Sequence, residues 1–125
     1  MSENEISYKI RGAIFKVFNG LGPGLLESAY EAALEHELKK EGLFVERQAQ
    51  LPFIYDGIEL GTGYRIDMLI HKKVLIEIKS VEELQAVHHK QVITYLKLSG
   101  IRLGILVNFN TDTIGTSIFR KVNNL

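Results

Sequence analysis

The segments YRIDMLI (residues 64–70) and VLIEIK (residues 74–79) decide the fold, because each reads as a β-strand and together they carry three charges among apolar residues. Ionised side chains are almost never fully buried unless they are paired or bind a metal, since removing each charge from water costs several kcal/mol. Asp67, Glu77 and Lys79 are therefore candidates for a functional site.

The polar connection between the two segments, residues 71–73, has the length of a hairpin turn. If Ile70 faces Val74, then Asp67 faces Glu77, and directly opposed like charges repel unless a cation lies between them. Alternation along the strand puts Lys79 on the face of Glu77. This pattern predicts two carboxylates that share a hard divalent ion beside an ammonium group, which suits metal-assisted hydrolysis. The alternative is a surface hairpin whose charges are merely solvated, and the apolar residues on both faces of the second segment disfavour it.

Two motifs resemble a known family. The pattern Asp67…Glu77-Ile78-Lys79 resembles the D…(D/E)xK core of the PD-(D/E)xK nuclease superfamily, and residues 24–30, GLLESAY, match the signature of its GxxExxY branch. The resemblance runs from about residue 6 to residue 119. It departs from the pattern at Ile66, where the superfamily's name has a proline. The resemblance implies a restriction-endonuclease-like α/β fold with an αβββαβ core, in which helices flank a mixed central sheet.

Composition indicates one domain spanning residues 1–125, with 46% hydrophobic and 24% charged residues. The absence of cysteine leaves oxygen or imidazole ligands for any metal, which favours Mg or Mn. The first five residues are acidic rather than basic, and no apolar run approaches the roughly 20 residues of a membrane span. We therefore expect a cytoplasmic protein that does not contact a membrane.

Hydrophobic periodicity and turn residues predict three helices and five strands. The predicted helices span residues 6–20, 25–40 and 82–98, and the predicted strands span 43–55, 64–70, 74–79, 102–109 and 117–122. Within the first of these strands, Pro52 indicates an edge or a bulge.

The second predicted helix has an apolar stripe that includes Leu26 and Leu38, and helical spacing places Glu27 in this stripe. Glu27 is either a further acidic metal ligand, acting through water, or an acid stabilised by the helix dipole. Glu37 falls in the same stripe at the other end. Tyr30, one turn after Glu27, is either a core residue or a side chain that touches the site.

The third predicted helix has an apolar face of Leu84, Val87 and Leu98 that polar residues interrupt. These residues are His88, Gln91 and Tyr95. Gln91 and Tyr95 resemble the QxxxY element of exonuclease-like branches of the superfamily, which implies that they help to hold the metal-site carboxylates and a substrate phosphate. The alternative is a buried amide and phenol that bond to the backbone. His88 is expected to support the site rather than to bind a metal.

Charge provides a weaker signal about partners. The chain has 15 Lys and Arg against 15 Asp and Glu, with a pI of about 6.9, whereas strong nucleic-acid binders usually have a basic excess. Many of the basic residues lie in the second half of the chain, as at Lys72-Lys73 and Arg120-Lys121. That half could present a basic face.

These observations favour a metal-dependent phosphodiester hydrolase that acts on nucleic acid, either DNA or RNA. In this interpretation Asp67 and Glu77 hold Mg or Mn together with the carbonyl of Ile78, Lys79 positions the attacking water, and Glu27 and Gln91 complete the shell. Two alternatives remain. One is a nucleic-acid or protein-interaction module that kept the fold and lost turnover, and the other is a structural homo-oligomer such as a homodimer.

Overall fold

The computed structural model describes residues 1–125, apart from the side chain of Thr62. The elements in chain order are α1 (Glu3–Leu21), α2 (Glu27–Lys40), β1 (Val45–Tyr55), β2 (Ile58–Ile70), β3 (Val74–Lys79), α3 (Ala86–Ser99), β4 (Leu103–Asn108), a 3-10 turn (Ile114–Thr116) and β5 (Ile118–Val122). In the described part of the chain, no helix is both long and apolar enough to cross a bilayer.

The five strands form one sheet in the order β1-β2-β3-β4-β5. All neighbours are antiparallel except β3 and β4, which run parallel because α3 crosses over between them. The predicted α/β fold, a mixed sheet flanked by helices, is therefore confirmed. The predicted register is confirmed as well, since Ile70 pairs with Val74 across the turn at His71 and Lys72, which both have positive φ.

Two apolar clusters pack on opposite faces of the sheet. The larger joins α1 and α2 to one face through side chains such as Ile10, Leu34 and Ile76. The smaller joins α3 to the other face, with Val92 and Leu96 against the sheet. Successive residues of β3 alternate between the clusters, so both faces of the central strand are covered. This coverage makes any charge on β3 costly to ionise.

Two helical faces differ from the predictions. In α3, Val87 is 64% exposed, and Val92 and Leu96 form the buried face instead. The reason is that Val92 and Leu96 pack with Leu75 and Leu106 of the sheet, so Val87, on another side of the helix, faces solvent. In α2, Leu26 is the residue before the helix and is 78% exposed, so it does not belong to the apolar stripe.

The β1–β2 hairpin extends beyond the core as a two-stranded arm, which we define as residues 49–66. Its tip turns at Asp56 and Gly57, both with positive φ, and the pairing register shifts at Leu51 and Pro52. The prediction that Pro52 marks an edge or a bulge is confirmed, because β1 is an edge strand and carries this shift. The inner face of the arm packs against α3.

Tyr30 holds the loop that precedes α2. Its hydroxyl donates to the carbonyl of Gly22 at 2.5 Å and accepts from the amide of Leu25 at 3.2 Å, while its ring stacks on Phe109. The side chain is fully buried. Tyr30 therefore fixes where α2 begins, and with it the position of Glu27.

We expect Tyr30→Phe to lower the free energy of unfolding by about 1–2 kcal/mol, because it keeps the stacked ring but removes the hydroxyl that bonds two partly exposed backbone groups. Thermal or urea unfolding measures the difference. Tyr8→Phe is the matched control, since Tyr8 is 81% exposed on α1 and should lose nothing measurable. Equal stabilities of the two variants would show that the hydroxyl of Tyr30 has no anchoring role.

Candidate active site

The site begins where β2 and β3 separate. Their backbone pairing runs from Ile70 and Val74 to Met68 and Ile76 and stops there. At the next position the carboxylate of Asp67 replaces the backbone, with its Oδ2 accepting from the amide of Ile78 at 2.7 Å. Asp67 is half-buried. The carboxylate is thus held at the split between the strands with its remaining oxygen lone pairs available.

The alternation of side chains also breaks at this split. Ile66 packs in the cluster under α3, whereas Met68, two residues later, packs in the cluster under α1 and α2. Opposite Asp67 in the register stands Gln48, whose φ of +51° lies in the left-handed region. A left-handed residue in a strand twists it locally. The twist directs the arm toward α3 and leaves a cleft beside Asp67.

Glu77 is the buried acid of the site. It is 5% exposed, and its Oε1 has no hydrogen-bond partner among the described residues. The pKa of Glu77 is raised to about 9, chiefly by burial and then by the neighbouring Asp67 carboxylate, while Lys79 acts in the opposite direction. The two acids therefore lie close together on adjacent antiparallel strands, as the sequence predicts. Without a cation, the structure favours a protonated Glu77.

Lys79 ends β3 and is half-buried. Its carbonyl accepts from the amide of Phe109 at 2.9 Å. Just beyond it, the buried amide of Asn108 bonds both the N–H and the C=O of Val81, at 3.0 and 2.9 Å. Ser80 donates to the carbonyl of Leu25 at 2.6 Å, which ties this end of the sheet to the loop before α2. The backbone on both sides of Lys79 is therefore fixed.

These elements enclose a cleft of about 200 Å³ between α2 and the split strands. Its lining residues are Glu27, Ser28, Glu31, Gln48, Asp67, Ile78 and Lys79. The structure thus brings Glu27, Asp67, Ile78 and Lys79 together, as the sequence predicts. Glu27 is exposed on the first turn of α2, at the cleft wall.

Glu31 is a cleft residue that the sequence predictions missed. It is 6% exposed, and its two oxygens accept from Arg47 Nε at 2.9 Å and from Gln48 Nε2 at 2.8 Å. Arg47 also bonds Glu35. This network joins α2 to β1 and holds Gln48 in its left-handed conformation. The sequence feature that could have identified Glu31 is its position four residues after Glu27, which places the two side chains on the same helix face.

Tyr95 lies on α3 and packs against the smaller apolar cluster, on the face of the sheet opposite α1 and α2. Burial raises the pKa of its phenol, and the charges of Glu77 and Asp67 raise it further. Gln91, one turn earlier on α3, is exposed. The role that the QxxxY resemblance implies for Gln91 and Tyr95 stays a prediction.

His88 and Tyr30 have other contacts. The Nδ1 of His88 accepts from the amide of Gln85 at 2.9 Å, which caps the start of α3. The hydroxyl of Tyr30 is engaged by the loop at Gly22, and neither side chain lines the cleft. Tyr30 thus fits the core-residue alternative and His88 a supporting role, since each fixes the start of a helix that carries site residues.

The donor atoms fit a weakly held hard cation. Among the described residues, no three Asp, Glu or His side chains converge as a ready-made metal site, so Glu27 does not join Asp67 and Glu77 in one cluster. The Oε1 of Glu77 nevertheless has no hydrogen-bond partner within the described part of the chain, and it lies beside the Asp67 carboxylate. Together the two carboxyl groups form a pair of oxygen donors. Mg²⁺ in proteins is commonly held by one or two carboxylates and keeps several waters. Asp67, which lines the cleft, and Glu77, which is buried beside it, supply two such carboxylates.

Comparisons with known proteins agree with this geometry. Neither the search of curated proteins nor that of solved structures returned a match. The assignment to the GxxExxY branch stays a prediction. A family model described as the PD-(D/E)XK nuclease superfamily matches residues 4–121, which is nearly the whole chain. The chain therefore belongs to the PD-(D/E)XK nuclease superfamily.

Proposed function

We propose that the protein is a divalent-metal-dependent hydrolase of nucleic-acid phosphodiesters, with DNA or RNA as its substrate. The observation that carries this proposal is the buried, unpartnered carboxyl of Glu77 beside Asp67. Such a pair is unfavourable without a cation, because burial and mutual repulsion both oppose ionisation. A structural role alone would be served better by an apolar residue on a strand covered on both faces.

Each site residue has a distinct role in this proposal. Asp67 and Glu77 hold Mg²⁺ or Mn²⁺, with the carbonyl of Ile78 as a further oxygen donor. The bound ion would acidify a water and polarise a phosphoryl oxygen. Lys79 orients the attacking water and offsets the developing charge on the phosphate. Glu27 contributes through water from the cleft wall.

The groups around the acids support them. In this proposal Gln91 orients Tyr95, whose phenol feels the charges of Glu77 and Asp67 and would donate to a carboxylate oxygen or to a phosphate. Glu31 keeps its oxygens bonded to Arg47 and Gln48, so it shapes the cleft without competing for the ion. The proposal is tested directly by measuring the cleavage of labelled DNA and RNA in the presence and absence of divalent metal.

We expect divalent ions to raise the melting temperature, because a ligand that binds only the native state stabilises it by about 2.7 kcal/mol at a hundredfold excess over Kd. Asp67→Asn should remove most of this effect. Differential scanning fluorimetry with Mg²⁺, Mn²⁺ or EDTA measures it, and Asp112→Asn, on an exposed loop outside the cleft lining, is the matched control. A melting temperature indifferent to millimolar Mg²⁺ and Mn²⁺ contradicts the metal assignment.

The stability of the metal-free protein should fall as pH rises from about 4.5 through about 9. The reason is that Glu77 keeps its proton in the folded state, where its pKa is raised to about 9, whereas the unfolded chain releases it near 4.5. Unfolding then releases one proton in this window, a slope of up to about 1.4 kcal/mol per pH unit. Urea unfolding in EDTA across this range measures it.

Glu77→Gln supplies the comparison for this pH dependence. The amide cannot titrate, so the difference between the wild-type and variant slopes isolates Glu77. Saturating Mg²⁺ should flatten the wild-type slope, since the ion favours the carboxylate. Parallel stability profiles of the two proteins in EDTA are the outcome that excludes a protonated Glu77.

We expect Lys79→Ala to lower the cleavage rate by a factor of about 10² to 10³, the usual effect of losing one electrostatic contact to the transition state. Stabilisation by Mg²⁺ should persist, because an ammonium is no metal ligand and its removal relieves repulsion. Single-turnover cleavage of labelled DNA and RNA measures the rate, with Lys90→Ala on the exposed face of α3 as the control. A folded Lys79→Ala protein that cleaves at the wild-type rate refutes the catalytic role of Lys79. A wild-type protein that binds metal but never cleaves indicates an interaction module.

A further inference from the structure

A second concavity lies next to the proposed catalytic cleft, on the arm. Its volume is about 280 Å³, and its lining residues are Gln50, Gly63, Tyr64 and Arg65. Gln50 pairs with Arg65 in the β1–β2 register. Gln48 and Asp67 stand opposite each other two residues farther along the same strands. The two concavities are therefore consecutive along the same two-stranded ribbon.

Arg65 is the exposed cation of this concavity. In the part of the chain whose side chains the structure describes, no carboxylate lies within salt-bridge distance of Arg65. The other four arginines are engaged: Arg47 bonds Glu31, Arg102 bonds a main-chain carbonyl, Arg120 bonds Asn4 and Arg11 lies over Phe15. Arg65 thus presents its guanidinium fork to solvent beside an acidic cleft.

The walls of this concavity are rigid. Tyr64 stacks on Tyr95 with ring centroids 4.6 Å apart, and its hydroxyl donates to the carbonyl of Tyr95 at 3.3 Å. A Cβ added at Gly63 would overlap the Cβ of Phe53, so this wall is bare backbone. Because the Tyr64 ring is already stacked, the concavity offers a guanidinium and an amide rather than a stacking surface. An exposed guanidinium fork suits a phosphate, and the concavity has no free ring face on which a base could stack.

The spacing suits consecutive phosphates of one strand. Arg65 precedes Asp67 by two residues on β2, which separates their Cα atoms by roughly 7 Å at the usual strand rise. That distance is comparable to the step between neighbouring phosphates of a nucleic-acid strand. The carboxylates of Glu27 and Asp67 repel a polyanion, so a cation beside them is needed to hold the substrate.

We propose that Arg65, assisted by Gln50, binds the phosphodiester group adjacent to the one that is cleaved at Asp67 and Glu77. This inference rests on the proposed function, and it adds that binding is independent of base sequence and that the arm is part of the substrate track. Arg65 is accordingly a positioning residue, which acts on the substrate backbone away from the reacting bond.

Fluorescence anisotropy tests the inference with short labelled single- and double-stranded DNA and RNA of two unrelated sequences, in EDTA so that the substrate stays intact. We expect Arg65→Ala to weaken binding about tenfold for both sequences, as for the loss of one charge-assisted contact. The slope of log K against log salt should decrease in magnitude by about 0.7 to 0.9, which corresponds to one phosphate. Gln50→Ala should have a smaller effect in the same direction.

Lys97→Ala is the matched control, because it removes the same charge from the exposed face of α3, and it should leave affinity and salt slope unchanged. Melting temperatures of all variants establish that they are folded. Competition with inorganic phosphate separates a site for a free anion from a site for the polymer. Displacement of the oligonucleotide by millimolar phosphate would overturn the assignment to a polymer.

Equal binding by folded Arg65→Ala and Lys97→Ala, or no binding of any oligonucleotide by the wild-type protein, would overturn the inference. Cleavage with Mg²⁺, measured in parallel, distinguishes it from the proposed function. If the protein cleaves but Arg65→Ala leaves KM and binding unchanged, only the inference fails. If binding depends on Arg65 but no cleavage occurs with any metal, only the proposed function fails.

Discussion

The hydrogen bond from the Ile78 amide to the Asp67 carboxylate is the contact on which the site depends. It replaces a backbone pairing at the point where β2 and β3 separate, so the strands diverge without leaving a buried N–H unsatisfied. The carboxylate is thereby held beside the buried acid of Glu77. Because the amide belongs to the central strand, its position is fixed by the whole sheet.

The remaining contacts restrict how that split can move. The parallel pairing of β3 with β4 sets Lys79 beside Asn108, whose side chain fastens the segment that follows. Tyr30 and Ser80 fasten the loop before α2 to the core and to the end of β3. The acids and the lysine are thus carried by rigid backbone, which is what preorganised electrostatic catalysis requires.

The network that joins the buried Glu31 to the exposed Arg47 and Gln48 shapes the wall of the cleft. The two carboxylate oxygens of Glu31 accept hydrogen bonds from the guanidinium of Arg47 and the amide of Gln48. The charge of Glu31 is therefore compensated within the wall of the cleft. The same network holds Gln48 at positive φ, which turns the arm and aligns Arg65 beside the cleft. The net charge of the protein therefore does not describe the charge distribution at the cleft and the arm, which depends on how the individual charged residues are arranged.

Although it missed residues 58–63, which form the first half of β2, the sequence by itself determined most of the strands, the turn between β2 and β3, their register and the closeness of Asp67 to Glu77. It could do so because hydrophobic period and turn length act over a few residues, and a short hairpin leaves little freedom. The tertiary structure alone decided that Val92 and Leu96 face the sheet, that Tyr30 and His88 anchor helix starts, and that Glu31 joins the cleft. These outcomes depend on partners distant in the chain, which no local pattern specifies.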